Sequence, residues 1–184
     1  AHTVAINIAS VFFILPLSFG LAAATRIGNL VGEKNLLQAK YASHVAVLIC
    51  LIGAIANTII ILAFREALVS LYTADVAVMA IAINLLLFAA IFQIPDGMQM
   101  GALGSLRGYK DTFAPMLMLI LTYWFIALPG GYYLTYHGIS SNSLGPAGIW
   151  IGMITGLAAF ACLIIPRLNY IANKFIARTN PELP

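Results

Sequence analysis

The sequence predicts an all-α membrane protein, a multi-spanning bundle of five transmembrane helices. Three observations predict it. Of the 184 residues, 62% are hydrophobic and 8% charged, with a mean hydropathy of +0.98. A soluble globular domain carries about a quarter charged residues. The apolar residues gather into five runs, each meeting the roughly 20 residues that a helix needs to cross the hydrocarbon core. Such runs are too long and continuous for strands, and a backbone facing lipid must satisfy its own hydrogen bonds, which a helix does.

In order, the expected helices cover about 3–25, 41–64, 76–106, 112–136 and 146–167, with a tail over 168–184. The first carries Thr3, Asn7, Ser10, Ser18 and Thr25 in one approximate stripe, since residues about 100° apart along a helix bring these positions together. The stripe reads either as a cavity wall, with Asn7 the favoured lining residue, or as small polar groups bonding between helices. The connection that follows, "RIGNLVGEKNLLQAKY", reads as a short interfacial turn. Arg65 and Glu66 after the second helix read as a solvated pair, and Asp75 before the third as an N-cap. The fourth places Tyr123 and Trp124 near mid-membrane, as packing or as cavity aromatics. In the fifth, Gly148, Gly152 and Gly156 recur every four residues, a small-residue face for close helix packing. Cys50 and Cys162 both lie in apolar runs and read as buried free thiols rather than a disulfide framework.

Orientation follows from the basic residues. Arg26, Lys34 and Lys40, then Arg107 and Lys110, then Arg167, Lys174 and Arg178 fall on one side, leaving only Arg65 on the other. That split expects a plasma (inner) membrane protein with the C-terminus cytoplasmic and Ala1 outside. The chain opens "AHTVAINIAS", without an initiating Met or a charged leader, and the expectation is a fragment with at least one helix before it. The net charge of +3 is spread between apolar segments, so it is no nucleic-acid signature.

The chemistry concentrates in "FQIPDGMQM", positions 92–100. A carboxylate at membrane depth costs about 2.5–3.5 kcal/mol on insertion scales, and such residues face a bundle interior or a watery cavity. On a helix, Gln93 and Gln99 fall within about 60° of Asp96, and Phe92 about 40° from it one turn earlier. Pro95 removes a backbone hydrogen bond and Gly97 admits a close neighbour or ligand. No Lys or Arg lies at comparable depth. Asp96 is therefore the candidate cation-coupling residue, with Phe92, Gln93, Gln99 and Asn7 as cavity or substrate candidates. The plain alternative is that Asp96 fixes packing through a polar neighbour. His2, His44 and His137 make no metal-ligand spacing, and no nucleophile–base arrangement marks an enzyme.

Two stretches, "AHTVAINIASVFFILPLSFGLAAATRIGNLVGE" and "PDGMQMGALGSLRGYKDTFAP", resemble in order and spacing the MATE (multidrug and toxic compound extrusion) transporters, in the NorM-like branch. The resemblance covers essentially the whole chain. It implies twelve helices in two six-helix lobes, of which this chain looks like the eighth to twelfth, most of the C-terminal lobe. It implies a cation-coupled antiporter, driven by Na⁺ or H⁺ and needing no other cofactor, that exports cationic drugs. Asp96 matches the acidic residue of the tenth helix, where Na⁺ would sit in a site this chain leaves incomplete, and Phe92 the aromatic one turn earlier. The partner acids of the first and seventh helices would belong to the missing N-terminal helices, and Thr3 stands where many relatives carry Gln. The alternatives are a related lipid-linked oligosaccharide flippase, expected to carry more cationic groups in its cavity, and a non-transporting membrane scaffold.

Overall fold

A computed structural model of the chain describes residues 1–138 and 144–179. It is a helical bundle with no strand among those residues, and five helical spans are long and apolar enough to cross a membrane. They are α1 (His2–Gly32), α2 (Leu36–Ser70), α3 (Val76–Gly108), a fourth span made of α4 (Phe113–Thr122), a π turn (Tyr123–Ala127) and α5 (Leu128–Tyr136), and α6 (Pro146–Thr179).

The helices outrun their expected limits at the charged side. The connection between α1 and α2 shrinks to Glu33–Asn35, so most of the stretch read as a turn is helix. Lys34 adopts a left-handed φ of 59° there, and the Asn35 N–H closes the end of α1 on the Leu30 carbonyl at 2.9 Å. The expected tail over 168–184 is likewise helix as far as Thr179, and its last residues lie outside the described residues. The reason is packing: Leu168, Ile171 and Ala172 are buried against Ile27, Leu30 and Tyr109. Polar ties add to this. Lys40 donates to Asn173 Oδ1 at 2.8 Å, His44 Nε2 pairs with Asn169 Oδ1 at 2.8 Å, and Arg167 grips Asp111 through two N–H···O contacts of 2.8 and 3.2 Å. At the other end α2 runs on to Ser70 with a kink at Phe64, so Arg65 and Glu66 sit inside a helix rather than after one.

α3 is the hub, packed against α1, α2 and α6. Its core contacts form two apolar clusters. One gathers Ala82, Leu85, Leu86, Ala89 and Ala90 with Ile8, Ile61 and Trp150; the other gathers Ala102 and Leu106 with Ile27, Phe160 and Ile164. Gln93, Asp96 and Gln99 occupy the stretch of α3 between them.

Close approach depends on small residues. A Cβ at Gly152 would lie 2.5 Å from the Ala127 carbonyl oxygen and from Gly131 Cα, and one at Gly148 2.5 Å from the Thr135 nitrogen. The glycine face of α6 therefore packs on the fourth span, as its spacing predicts. α3 uses the same device: Gly97 meets Cys50 and Ala54 of α2, and Gly104 meets Gly20 of α1.

The π turn has a local cause. Pro129 has no N–H, and in an α-helix its ring would collide with the carbonyl four residues back. The chain widens by one residue instead, and the Leu128 N–H reaches the Tyr123 carbonyl. Pro16 and Pro95, by contrast, lie inside helices that continue past them. Asp75 caps α3 as expected, its Oδ1 accepting from the N–H groups of Ala77 at 2.8 Å and Val78 at 3.2 Å. Of the two cysteines Cys50 is buried, but Cys162 is exposed on α6, against the expectation of a buried thiol.

Candidate functional site

Asp96 stands on α3 where the helix faces α1, the π turn and α6. It borders a cavity of about 360 Å³, together with Ala9 and Phe13 of α1, Phe92 and Gln99 of α3, Tyr123 of the π turn, and Trp150 and Met153 of α6. The wall is mostly apolar and aromatic. Asp96 itself is 3% exposed. Its Oδ1 accepts a hydrogen bond from Gln99 Nε2 at 2.8 Å, while its Oδ2 has no partner among the described residues.

The charge is not neutralised locally. Among the described residues the salt bridge found is Arg167–Asp111, which does not involve Asp96. A buried carboxylate with no cationic neighbour is expensive unless something supplies positive charge. The geometry therefore suits a mobile cation or a cationic ligand. No group of three or more His, Cys, Asp or Glu that could cage a metal occurs among the described residues.

The candidates read from sequence separate. Phe92 and Gln99 lie on the cavity wall with Asp96. Phe92 meets Trp150 edge to face, centroids 6.0 Å apart at 88°. Gln93 is fully buried but is not on that wall; its Nε2 donates to the Ala9 carbonyl at 3.3 Å, tying α3 to α1. Asn7 is exposed and off the wall. The cavity face of α1 runs through Ile6, Ala9, Ser10 and Phe13, and Asn7 lies about 100° round the helix from Ile6. Of the polar stripe only Ser10 reaches this wall: Thr3, Ser18 and Thr25 are exposed and off it, and the hydroxyls of Ser10, Ser18 and Thr25 return to carbonyls of their own helix.

Tyr123 and Trp124 part company. Tyr123 lines the cavity, whereas Trp124 is 66% exposed on the outer face. Trp150 and Met153 escaped the sequence reading, which took α6 for its glycine face alone. The signal was there: Trp150 lies about 200° round the helix from Gly148, opposite the glycines and therefore toward α3. A larger groove of about 600 Å³ between α1 and α2 includes Arg26, Gln38 and Tyr41 but no carboxylate.

Comparisons with known proteins agree with this architecture. Residues 1–133 match the family model described as MatE. The chain is 40% identical over 171 residues to "Multidrug resistance protein NorM" of Photobacterium profundum, covering 93% of this chain and 38% of that protein. It is 37% identical over 177 residues to "Multidrug resistance protein MdtK" of Pectobacterium atrosepticum, covering 96% of this chain and 39% of that one. The chain thus spans less than two fifths of the length of these relatives. In fold it superposes on the crystal structure of the eukaryotic MATE transporter AtDTX14 with a TM-score of 0.84 at 22% identity, over 96% of this chain and 40% of that one. With five membrane-spanning helices and a family match over most of its length, the chain belongs to the MatE family.

Proposed function

We propose that this chain forms most of the C-terminal lobe of a cation-coupled multidrug antiporter that exports organic cations by alternating access, with Asp96 as the coupling residue. The observation that carries the reading is the Asp96 carboxylate: buried, with one oxygen unpartnered, on an aromatic-lined cavity. Na⁺ or H⁺ entering at Asp96 offsets the cost of the buried charge and competes with a cationic drug for it. The two cannot both neutralise one carboxylate, so cation entry on one side favours drug release there. The membrane field assists by about 2.3 kcal/mol per charge per 100 mV. Two relatives named multidrug resistance proteins support the substrate class. Among the described residues that line this cavity none is cationic, which favours drug export over handling of an anionic lipid-linked sugar.

The test is efflux of ethidium by the complete transporter reconstituted in vesicles, under an imposed Na⁺ or H⁺ gradient. Efflux that follows one of the two gradients is expected. Efflux indifferent to both would overturn the coupling.

Phe92 contributes a ring face for the cation near Asp96. Phe92→Ala is expected to weaken drug binding by about 0.5–2 kcal/mol, a milder effect than loss of the carboxylate. Equilibrium binding of ethidium measures it, and an unchanged affinity removes Phe92 from the site.

The basic residues support an orientation with Arg178 cytoplasmic and His137 outside. Cysteine introduced at His137 should react with an impermeant thiol reagent added outside intact cells, and cysteine at Arg178 only after the membrane is opened. The reverse pattern would invert the chain. The labelling is done with Cys162 replaced, since that thiol is exposed.

A further inference from the structure

Asp96 is not the one unsatisfied group on its cavity. Trp150 lines the same wall, is 2% exposed, and its Nε1 has no hydrogen-bond partner among the described residues. Buried indole N–H groups normally find an acceptor. The ring is held firmly, with His2 edge-on at 5.9 Å on one side and Phe92 edge-on at 6.0 Å on another. Neither of those contacts uses the N–H in a hydrogen bond. A tryptophan that served packing alone could be Phe or Leu without leaving a buried donor stranded.

The two unpartnered atoms are chemically opposite. A carboxylate oxygen only accepts and an indole N–H only donates. One cavity therefore lacks a positive group at Asp96 Oδ2 and an acceptor at Trp150 Nε1. Neither can satisfy both needs alone: Na⁺ or H⁺ serves Asp96 and leaves Trp150 stranded.

We propose that the cavity reads two groups of its substrate at once, a cationic centre at Asp96 and a hydrogen-bond acceptor such as a carbonyl oxygen at Trp150, so that it prefers organic cations that also carry an acceptor. Trp150 is then a specificity-determining residue. The coupling cation displaces the substrate from Asp96 but offers Trp150 nothing, so the acceptor contact distinguishes drug from cation within one cavity. A site built to bond a substrate oxygen discriminates against an analogue lacking it, because the protein group is left unpaired. The proposal rests on the reading of the Asp96 cavity as the drug site.

The probes are benzyltrimethylammonium and its 4-acetyl derivative, which share the charge and the ring and differ in an acceptor. Both are measured by equilibrium binding to the complete transporter in lipid nanodiscs. The parent is expected to bind the acetyl compound roughly threefold to tenfold more tightly. Trp150→Phe, which keeps an aromatic ring and removes the N–H, is expected to bring the ratio close to one, whatever the change in the two affinities taken singly. Equal affinities in the parent overturn the proposal without any variant, so a misfolded Trp150→Phe cannot shelter it. A ratio that persists in a folded Trp150→Phe overturns it as well. Asp96→Asn separates the two readings. If it weakens both compounds while the parent shows no preference, the cavity reading stands and the Trp150 inference alone fails. If it weakens neither, the cavity is not the site and both fall.

Discussion

Asp96→Asn in the complete transporter is expected to reduce gradient-driven efflux by roughly 5- to 150-fold, the range spanned by typical coupling energies between two ligands. The substitution keeps the size of the side chain and an oxygen for the Gln99 contact of 2.8 Å. What it removes is the charge that, in the proposed mechanism, the coupling cation and the drug share. Expression and membrane insertion should remain near the parent's, because a neutral amide relieves the desolvation of a carboxylate 3% exposed. That combination distinguishes coupling from packing. A structural aspartate, once replaced, would lower the amount of folded protein and the efflux together; a coupling aspartate lowers efflux per molecule. Efflux measured per inserted transporter under both a sodium and a proton gradient decides the matter, and parent-like values under both would make the carboxylate structural.

Asp96 was legible in the sequence for an energetic reason. In a run of apolar residues a carboxylate is costly against lipid, so its position alone points to the bundle interior or a cavity, where the structure puts it. Phe92 and Gln99 share a wall with Asp96 because α3 stays helical through Pro95, whereas Gln93, expected on the same arc, turns instead to the Ala9 carbonyl. Polarity alone marks Asn7 as a cavity candidate, and it lies off the wall that Asp96 borders. In lipid a small polar side chain can instead bond the carbonyl one turn back, as Ser10, Ser18 and Thr25 do, and a stripe of such groups need face no cavity. Trp150 was missed for the converse reason: inside an apolar helix a tryptophan looks like packing until its N–H is found without a partner. The ends of the helices were misplaced because charge was read as the end of a helix. Lys40 and Lys174 belong to helices that continue, the first bonded to Asn173 and the second set over the Tyr170 ring at 5.7 Å.

The glycines of α3 carry the second large effect. Gly97, Gly101, Gly104 and Gly108 fall within about 60° of one another around the helix, yet the stripe changes partner along its length. A Cβ at Gly97 or Gly101 would run into α2, at Cys50 and Ala54 or at Ala46 and Val47. A Cβ at Gly104 or Gly108 would run into α1, at Gly20 or at Ala24 and Ile27. Two helices thus cross one face of α3 in turn, and at Gly104 the obstacle is the backbone of Gly20 itself, which cannot step aside as a side chain can. Without a hydrophobic drive between helices in lipid, such close packing is a main source of cohesion. Gly104→Ala is therefore expected to destabilise the fold by roughly 1–3 kcal/mol, even though alanine favours a helix intrinsically, and Gly104→Val by more. Gly130→Ala is the control: nothing lies within 4 Å of a Cβ there, and the change should be neutral or slightly stabilising. Thermal unfolding in detergent reads the difference. If Gly104→Ala melts with the parent, α1 and α3 do not approach at Gly20. The Asp96 cavity would then lose its α1 wall, because Ala9 and Phe13 are carried on the same helix as Gly20.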